Sequence, residues 1–297
     1  MTSVRERIQG SIPALITPMK DGKVDEAAFR KFVSWQIAQG SQGLVPCGTT
    51  GESPTLTHDE HHRVVELCIE VAKGRAFVIA GAGSNSTDEA ISLTQHAKRA
   101  GADAALHVTP YYNKPTQEGL YRHYMAIADA VDLPIIIYNI PARSIINMTT
   151  ETMAKLAKHP NIVGVKDATA DLVRPVKTRL AIDADFCQLS GEDATAIPFL
   201  AQGGHGCISV TSNVAPRLCA DLQNAWAAGN YDAAYKINDL LMPLHDAMFI
   251  ESSPGPVKYA AGLMGLCSDE LRLPLCEIAD SSKAAVRAAL KHVGLKH

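Results

Sequence analysis

Pro134-Ile135-Ile136-Ile137-Tyr138-Asn139 and Ile162-Val163-Gly164-Val165-Lys166-Asp167 decide how this chain folds. Both are continuous apolar runs, not alternating ones, and both stop abruptly at polar residues. Parallel strands buried on both faces read this way. Six more runs of the same kind flank them: Ile12–Thr17, Gly43–Cys47, Phe77–Gly81, Ala104–Thr109, Phe186–Ser190 and Gly206–Thr211. Amphipathic helical patterns separate most of them, at Asp25–Gln39, Asp59–Ala72, Thr87–Ala100, Glu118–Ala130 and Glu151–His159. Thr57 with Glu60 forms a Thr-x-x-Glu capping box, and Ser86-Thr87-Asp88-Glu89 is a second acidic, capped start. Gly40, Gly74 and Gly101 mark helix ends.

Eight such β/α units predict an α/β protein, a (β/α)8 TIM barrel of typical size. An open doubly wound sheet is the alternative that the repeat alone leaves open. The barrel is expected to close near residue 215, giving a catalytic barrel over residues 1–214. Residues 215–297 carry Ala-rich helical patterns and no strand signal. They are expected to supply the last barrel helix and a C-terminal helical extension packed on the barrel.

Composition narrows the function. Hydrophobic residues make up 46% of the 297, charged residues 20%, and the formal net charge is -3. That balance gives no electrostatic reason to expect nucleic acid or an anionic membrane as partner, and 5% aromatics offer little surface for base stacking. No stretch approaches the ~20 apolar residues of a membrane span. The first twenty residues are interrupted by Arg5, Glu6, Arg7 and Lys20, unlike a secretory signal. Seven scattered cysteines without a C-x-x-C pair read as reduced thiols of a cytoplasmic protein, mostly core filler.

In a barrel the chemistry sits at the carboxyl ends of the strands. Those ends are polar here: Thr49-Thr50-Gly51-Glu52, Pro110-Tyr111-Tyr112-Asn113, Tyr138-Asn139-Ile140-Pro141-Ala142-Arg143, Lys166-Asp167, Gly191-Glu192-Asp193 and Ser209-Val210-Thr211. Lys166 is the sharpest signal, because it interrupts an apolar run and its stem must enter the interior. A buried lysine is uncommon, and an amine stripped of water is the nucleophile that Schiff-base chemistry needs. The plainer reading is a lysine paired at the strand end, with Asp167 as partner. Lys258, flanked by Pro256-Val257 and Tyr259-Ala260, is a second lysine in apolar surroundings and reads as helix-terminal structure. Tyr138 offers a phenol for proton relay. Arg143 offers a planar fork for a carboxylate. Thr49 and Thr50, in a Gly-flanked loop, offer hydroxyl and backbone N–H groups to an anion. His58-Asp59-Glu60-His61-His62 lacks the H-E-x-x-H spacing of a zinc helix, and Gly81-Ala82-Gly83 lacks the third glycine of a dinucleotide loop.

These residues, in this order, closely resemble the dihydrodipicolinate synthase family. Five motifs carry the resemblance over nearly the whole chain: Gly48–Ser53, Val108–Asn113, Tyr138–Arg143, Gly164–Thr169 and Gly203–Val210. The resemblance implies condensation of pyruvate with aspartate-4-semialdehyde in lysine biosynthesis, a carbon–oxygen lyase working by a class I aldolase mechanism. Lys166 then forms the imine, Tyr138 is the general acid/base, and Thr49 and Tyr112 are its relay partners, Tyr112 reaching in from a neighbouring subunit. Thr50 and the backbone at Ile208 contact pyruvate, with Gly191 nearby, and Arg143 receives the carboxylate of the second substrate. No metal or organic cofactor is implied, because the imine is itself the electron sink. The family is usually a homotetramer, a dimer of dimers. In feedback-sensitive members lysine binds at the dimer interface, and the matching positions are Ser53, Pro54, His58, His61, Asn85, Glu89 and Tyr111. Two departures stand out: Asp167 replaces the glutamate that commonly follows the imine lysine, and Ser144-Ile145-Ile146-Asn147 replaces smaller residues. The rival readings are another pyruvate-dependent aldolase or lyase acting on a sugar acid, a catalytically silent barrel, and a metal-dependent aldolase. Arg143 argues for the synthase over the sugar-acid lyase.

Overall fold

Each apolar run becomes a strand, and together eight parallel strands make a nearly closed barrel, described for residues 7–182 and 185–296 of a computed structural model. Arg5 and Glu6 of the N-terminal reading lie outside the described residues. The strands are β1 (Gly10–Pro13), β2 (Gly43–Leu44), β3 (Phe77–Gly81), β4 (Ala104–Val108), β5 (Ile135–Asn139), β6 (Ile162–Asp167), β7 (Cys187–Ser190) and β8 (Gly206–Ser209). Their hydrogen-bonded order is β1-β8-β7-β6-β5-β4-β3-β2. One parallel bridge, Ala14 to Val45, joins the last to the first, and the open doubly wound alternative is thereby set aside. A helix follows every strand: α1 (Glu26–Ala38), α2 (His58–Ala72), α3 (Thr87–Ala100), α4 (Gln117–Ala130), α5 (Thr150–Leu156), α6 (Arg174–Ala181), α7 (Ala196–Ala201) and α8 (Pro216–Ala227). Three more, α9 (Tyr231–Met248), α10 (Gly255–Leu263) and α11 (Asp280–His292), complete the C-terminal part, whose regular elements among the described residues are all helices.

Two compact units divide the chain: residues up to Gln9 with Phe77–Ile208, and Gly10–Ala76 with the residues from Ser209 onward. In the first unit, Ile135, Ile137, Ile162 and Val165 on β5 and β6 pack with Leu120, Tyr124 and Ile127 of α4 and Met153 and Leu156 of α5. Each such side chain contributes roughly 1.5–3 kcal/mol on burial. This layer fixes which residues of β5 and β6 face the helices, and so which face away.

Against Tyr124 of this layer lie two buried histidines, His107 and His123. Thr94 Oγ1 donates to the carbonyl of Ala90 at 2.5 Å, so it must accept from His107 Nε2, 3.1 Å away. That assigns the proton to Nε2 and leaves His107 Nδ1 a bare lone pair without a partner. His123 bonds Thr87 Oγ1 through Nδ1 at 3.0 Å, and its Nε2 has no partner. Desolvation, with the charge of His123 as a smaller cause, holds His107 down to about 3, and desolvation holds His123 down to about 4. Both folded values lie below the unfolded one of about 6.5. The stability these neutral rings contribute is therefore complete above pH 6.5 and is lost as pH falls toward 4. At pH 5 the loss from each amounts to about 2 kcal/mol. A His107→Gln/His123→Gln variant is expected to flatten the fall in urea midpoint between pH 7 and pH 5; an unchanged slope counts against the pair as its source.

In the second unit the helix signals hold. Thr57 accepts from the backbone of Glu60, and Glu60 accepts from the backbone of Thr57, closing the capping box at the start of α2. Gly40 and Gly74 follow helices with positive φ, as Gly101 does in the first unit. Ser86 does stand at the N-cap of α3, in the first unit, but its side chain makes no capping bond; its own amide donates to Ser84 Oγ at 3.0 Å. β1 lies earlier than its apolar run suggests. Past Leu15, whose amide still donates to Val45 O at 2.9 Å, the ladder stops, because Ile16 N donates to the Asn213 side chain at 3.0 Å. β2 ends early because Cys47 takes a left-handed φ of 55°. A short hairpin, Met19–Lys20 with Lys23–Val24, was not anticipated, although Asp21-Gly22 between the strands is a strong two-residue turn signal, and both residues have positive φ.

Candidate active site

A one-residue irregularity creates the central pair. Ile135 lies opposite Ile162, but Ile136 lies opposite Gly164, so Val163 is the extra residue. Without it Tyr138 would face Val165; with it Tyr138 faces Lys166. Val165 keeps its place in the apolar layer under the helices, and the two polar side chains leave on the opposite face. Lys166 Nζ then stands 4.0 Å from the centre of the Tyr138 ring. Both residues are 6% exposed. Among the described residues no carboxylate pairs with Lys166.

Asp167 is not the partner of Lys166. Its Oδ2 receives Arg174 Nε at 3.0 Å, and its Oδ1 receives the amide and hydroxyl of Thr169 at 2.9 and 2.6 Å. Arg174 also donates to the carbonyl of Met148 at 2.9 Å. This buried pair ties the end of β6 to α6 and to the chain before α5, and leaves the lysine amine unclaimed. Gly191 completes the neighbourhood. A Cβ there would lie 2.8 Å from Ala168 Cβ and 3.0 Å from Lys166 Cε, so the lysine stem passes directly over this backbone.

Arg143 sits on the single helical turn Pro141–Ser144 after β5, exposed and without a carboxylate partner among the described residues. Ser144 Oγ anchors that turn, accepting from Thr109 Oγ1 at 2.9 Å. Asn139 holds the return of the loop through Asn147 Oδ1 and Met148 N, at 2.9 and 3.0 Å. Ile208 is buried in β8. Tyr112 stands apart. Asn113 N donates to Tyr111 O at 2.8 Å across Tyr112, whose φ is 69°. That is the rarer, strained form of the three-residue turn, and it presents the Tyr112 ring at 92% exposure.

Thr49 and Thr50 lie in the second unit, in the loop after β2. Gly51 N donates to Gly48 O at 3.0 Å and Glu52 N to Thr49 O at 3.1 Å. Thr17 Oγ1 donates to Gly51 O at 2.7 Å. A Cβ on Gly51 would lie 3.0 Å from Leu15 O, which reserves the position for glycine. Glu52, with φ 56°, turns its carboxylate inward to Lys258 Nζ at 2.6 Å; both side chains have 0% exposure. Lys258 is thus the fully buried half of an ion pair in the first turn of α10, a stronger structural role than its local sequence conveys.

The proposed lysine-binding positions fall in both units. In the first, Asn85, Glu89 and Tyr111 meet at the head of α3. Asn85 Nδ2 donates to Tyr111 O at 3.2 Å, and Glu89 bonds Ser84 Oγ. Burial, and then the charge of Glu89, push the Tyr111 phenol up. In the second, Ser53 and Pro54 begin the 3-10 turn Ser53–Thr55, and His58 and His61 lie in the first turn of α2, His61 buried. Gly83 is explained by packing, since a Cβ would lie 3.0 Å from His107 Cα.

Comparison with known proteins agrees with this picture. The model of the dihydrodipicolinate synthetase family matches residues 7–293. A 4-hydroxy-tetrahydrodipicolinate synthase of Rhodospirillum centenum is 67% identical over 287 residues, covering 97% of this chain and 99% of that protein. The crystal structure of the chloride-inhibited dihydrodipicolinate synthase of Acinetobacter baumannii complexed with pyruvate superposes with TM-score 0.94 at 47% identity, covering 97% of this chain and 99% of that one. The enzyme of Cyanidioschyzon merolae with lysine bound gives TM-score 0.94 at 40% identity, covering 97% and 98%.

Proposed function

The chain belongs to the dihydrodipicolinate synthetase family, and from that premise we propose which of its residues run the reaction. It is a lyase that condenses pyruvate with aspartate-4-semialdehyde to 4-hydroxy-tetrahydrodipicolinate. The observation that carries the assignment is Lys166, buried, without a counter-charge, and set against Tyr138 by the irregularity at Val163.

Lys166 attacks the pyruvate ketone, and loss of water gives an imine. The cationic nitrogen draws electrons from the methyl carbon, which loses a proton and becomes an enamine. Tyr138, with Thr49 and Tyr112, moves that proton. The enamine carbon attacks the aldehyde of the second substrate, whose carboxylate Arg143 receives in a two-bond fork. The substrate's own amine then displaces Lys166 and closes the ring. Thr50 and the Ile208 backbone hold the pyruvate carboxylate, and Gly191 leaves the lysine stem its room. This chemistry belongs to residues 1–214, with 215–297 as the helical extension. No described helix is long and apolar enough to cross a membrane, and a cytoplasmic site fits a biosynthetic lyase.

Tyr112 supports assembly as a homotetramer built as a dimer of dimers, because a strained, nearly fully exposed tyrosine gains a role once a neighbouring subunit receives it. Lysine is the feedback ligand at Ser53, Pro54, His58, His61, Asn85, Glu89 and Tyr111, with Glu89 for its ammonium. Absence of heat on titration with millimolar lysine would remove that ligand.

Borohydride reduction in the presence of pyruvate tests the core of the assignment. The expected adduct maps to Lys166 by peptide mass spectrometry, and product forms with aspartate-4-semialdehyde but not with sugar-acid aldehydes. An adduct on another lysine sinks the mechanism. Tyr138→Phe is expected to lower kcat by about 10²–10⁴-fold with little change in pyruvate KM. A KM effect alone would move Tyr138 from proton transfer to binding.

A further inference from the structure

The loop Gly48–Gly51 is closed by short turn bonds, Gly51 N to Gly48 O and Glu52 N to Thr49 O, and its Thr49 and Thr50 side chains need that turn held in place from outside. Thr17 fixes one of its carbonyls, and left-handed residues bracket it, Cys47 at φ 55° and Glu52 at φ 56°. A left-handed conformation is unfavourable for a residue with a Cβ, so Glu52 needs a reason to stay there. Its side chain supplies one. Oε1 receives Lys258 Nζ at 2.6 Å, and Oε2 receives the backbone N of Arg272 at 3.1 Å. Lys258 also donates to the carbonyl of Glu270. Arg272 in turn reaches Thr55 O at 2.8 Å and grips both carboxylate oxygens of Glu60 at 2.6 and 2.7 Å. The turn Ser53–Thr55 and the capped start of α2 are thereby tied to the same short segment, residues 268–272. No water reaches the central pair, since both side chains are fully buried. A buried pair with the remaining polar atoms bonded allows only one arrangement.

We propose that the Glu52–Lys258 ion pair, with Arg272, is a positioning device that sets the Thr49-Thr50 loop for the reaction. It touches neither substrate nor reacting atom and acts only through the conformation of the loop. The inference rests on the roles proposed above for Thr49 and Thr50. Those roles specify what displacement of the loop costs: proton relay through Thr49, and hold on the pyruvate carboxylate through Thr50.

The test compares Glu52→Gln, Lys258→Met and the double variant in the full-length enzyme. Far-ultraviolet dichroism establishes folding, and kcat and pyruvate KM are measured on the folded protein. Glu52→Gln is expected to raise pyruvate KM and lower kcat together, with kcat/KM falling about 10²-fold, and to slow borohydride-trapped adduct formation on Lys166. A role confined to stability lowers the melting temperature and leaves both constants unchanged, and that result overturns the proposal. Should either single variant fail to fold through its unpaired charge, the double variant, with neither charge, decides by the same constants. No adduct in the wild-type enzyme sinks the reading of the reaction and this proposal with it. A normal wild-type adduct with wild-type constants in the variants sinks the positioning role alone.

Discussion

Lys166→Ala is expected to abolish the pyruvate adduct and to lower kcat by on the order of 10⁴-fold or more, because no other residue can form the covalent electron sink. The fold is expected to tolerate the change well. The lysine amine makes no ion pair among the described residues, so truncation strands no counter-charge, and only the stem leaves a small void beside Tyr138 and Gly191. The variant therefore separates chemistry from architecture: melting close to wild type, turnover near background. Residual turnover within a factor of ten of wild type would mean that another amine carries the reaction. A collapsed fold would mean that Lys166 is chiefly a structural residue.

The neighbouring position behaves in the opposite way. Asp167→Ala leaves Arg174 buried with its charge uncompensated, and such a break costs about 3–5 kcal/mol. Its denaturant midpoint should fall steeply with an unchanged m-value. Asp167→Leu with Arg174→Met removes both charges and is expected to recover most of the loss. If the single and double variants lose equal stability, the ion pair is not the cause. Adjacent residues of one strand thus divide the work, one chemical and one mechanical.

Much of this was legible in the sequence, and particular residues show where legibility ended. Eight continuous apolar runs identified the strands, because a barrel strand is buried on both faces, by helices outside and by side chains within. Lys166 was visible as a charge inside such a run. The register beside Tyr138 was not, since Val163 looks like any other strand residue and its irregularity exists only against Ile135 and Ile136. The lysines at 166 and 258 give the same local signal, a charge among apolar neighbours. What separates them is a partner, and the partner of Lys258 lies 206 residues away in sequence. Asp167 was open to reading as a mate for Lys166 because Arg174, seven residues on, joins it only after α6 has formed. The hairpin at Asp21-Gly22 lies within reach of a local rule, since two residues with positive φ between short strands form a tight turn.

The distance between Glu52 and Lys258 has a consequence during synthesis. A polypeptide emerging from the ribosome carries its threonine loop early and the lysine that neutralises Glu52 only when seven-eighths of the chain has been made. Until then the carboxylate is best solvated by water, and the left-handed turn lacks the side-chain contact that holds Glu52. On the positioning role proposed above, a nascent or truncated chain ending before α10 lacks the contact that sets this loop, however complete its strands. The late-translated end of the molecule thus supplies the partner of a residue near its beginning.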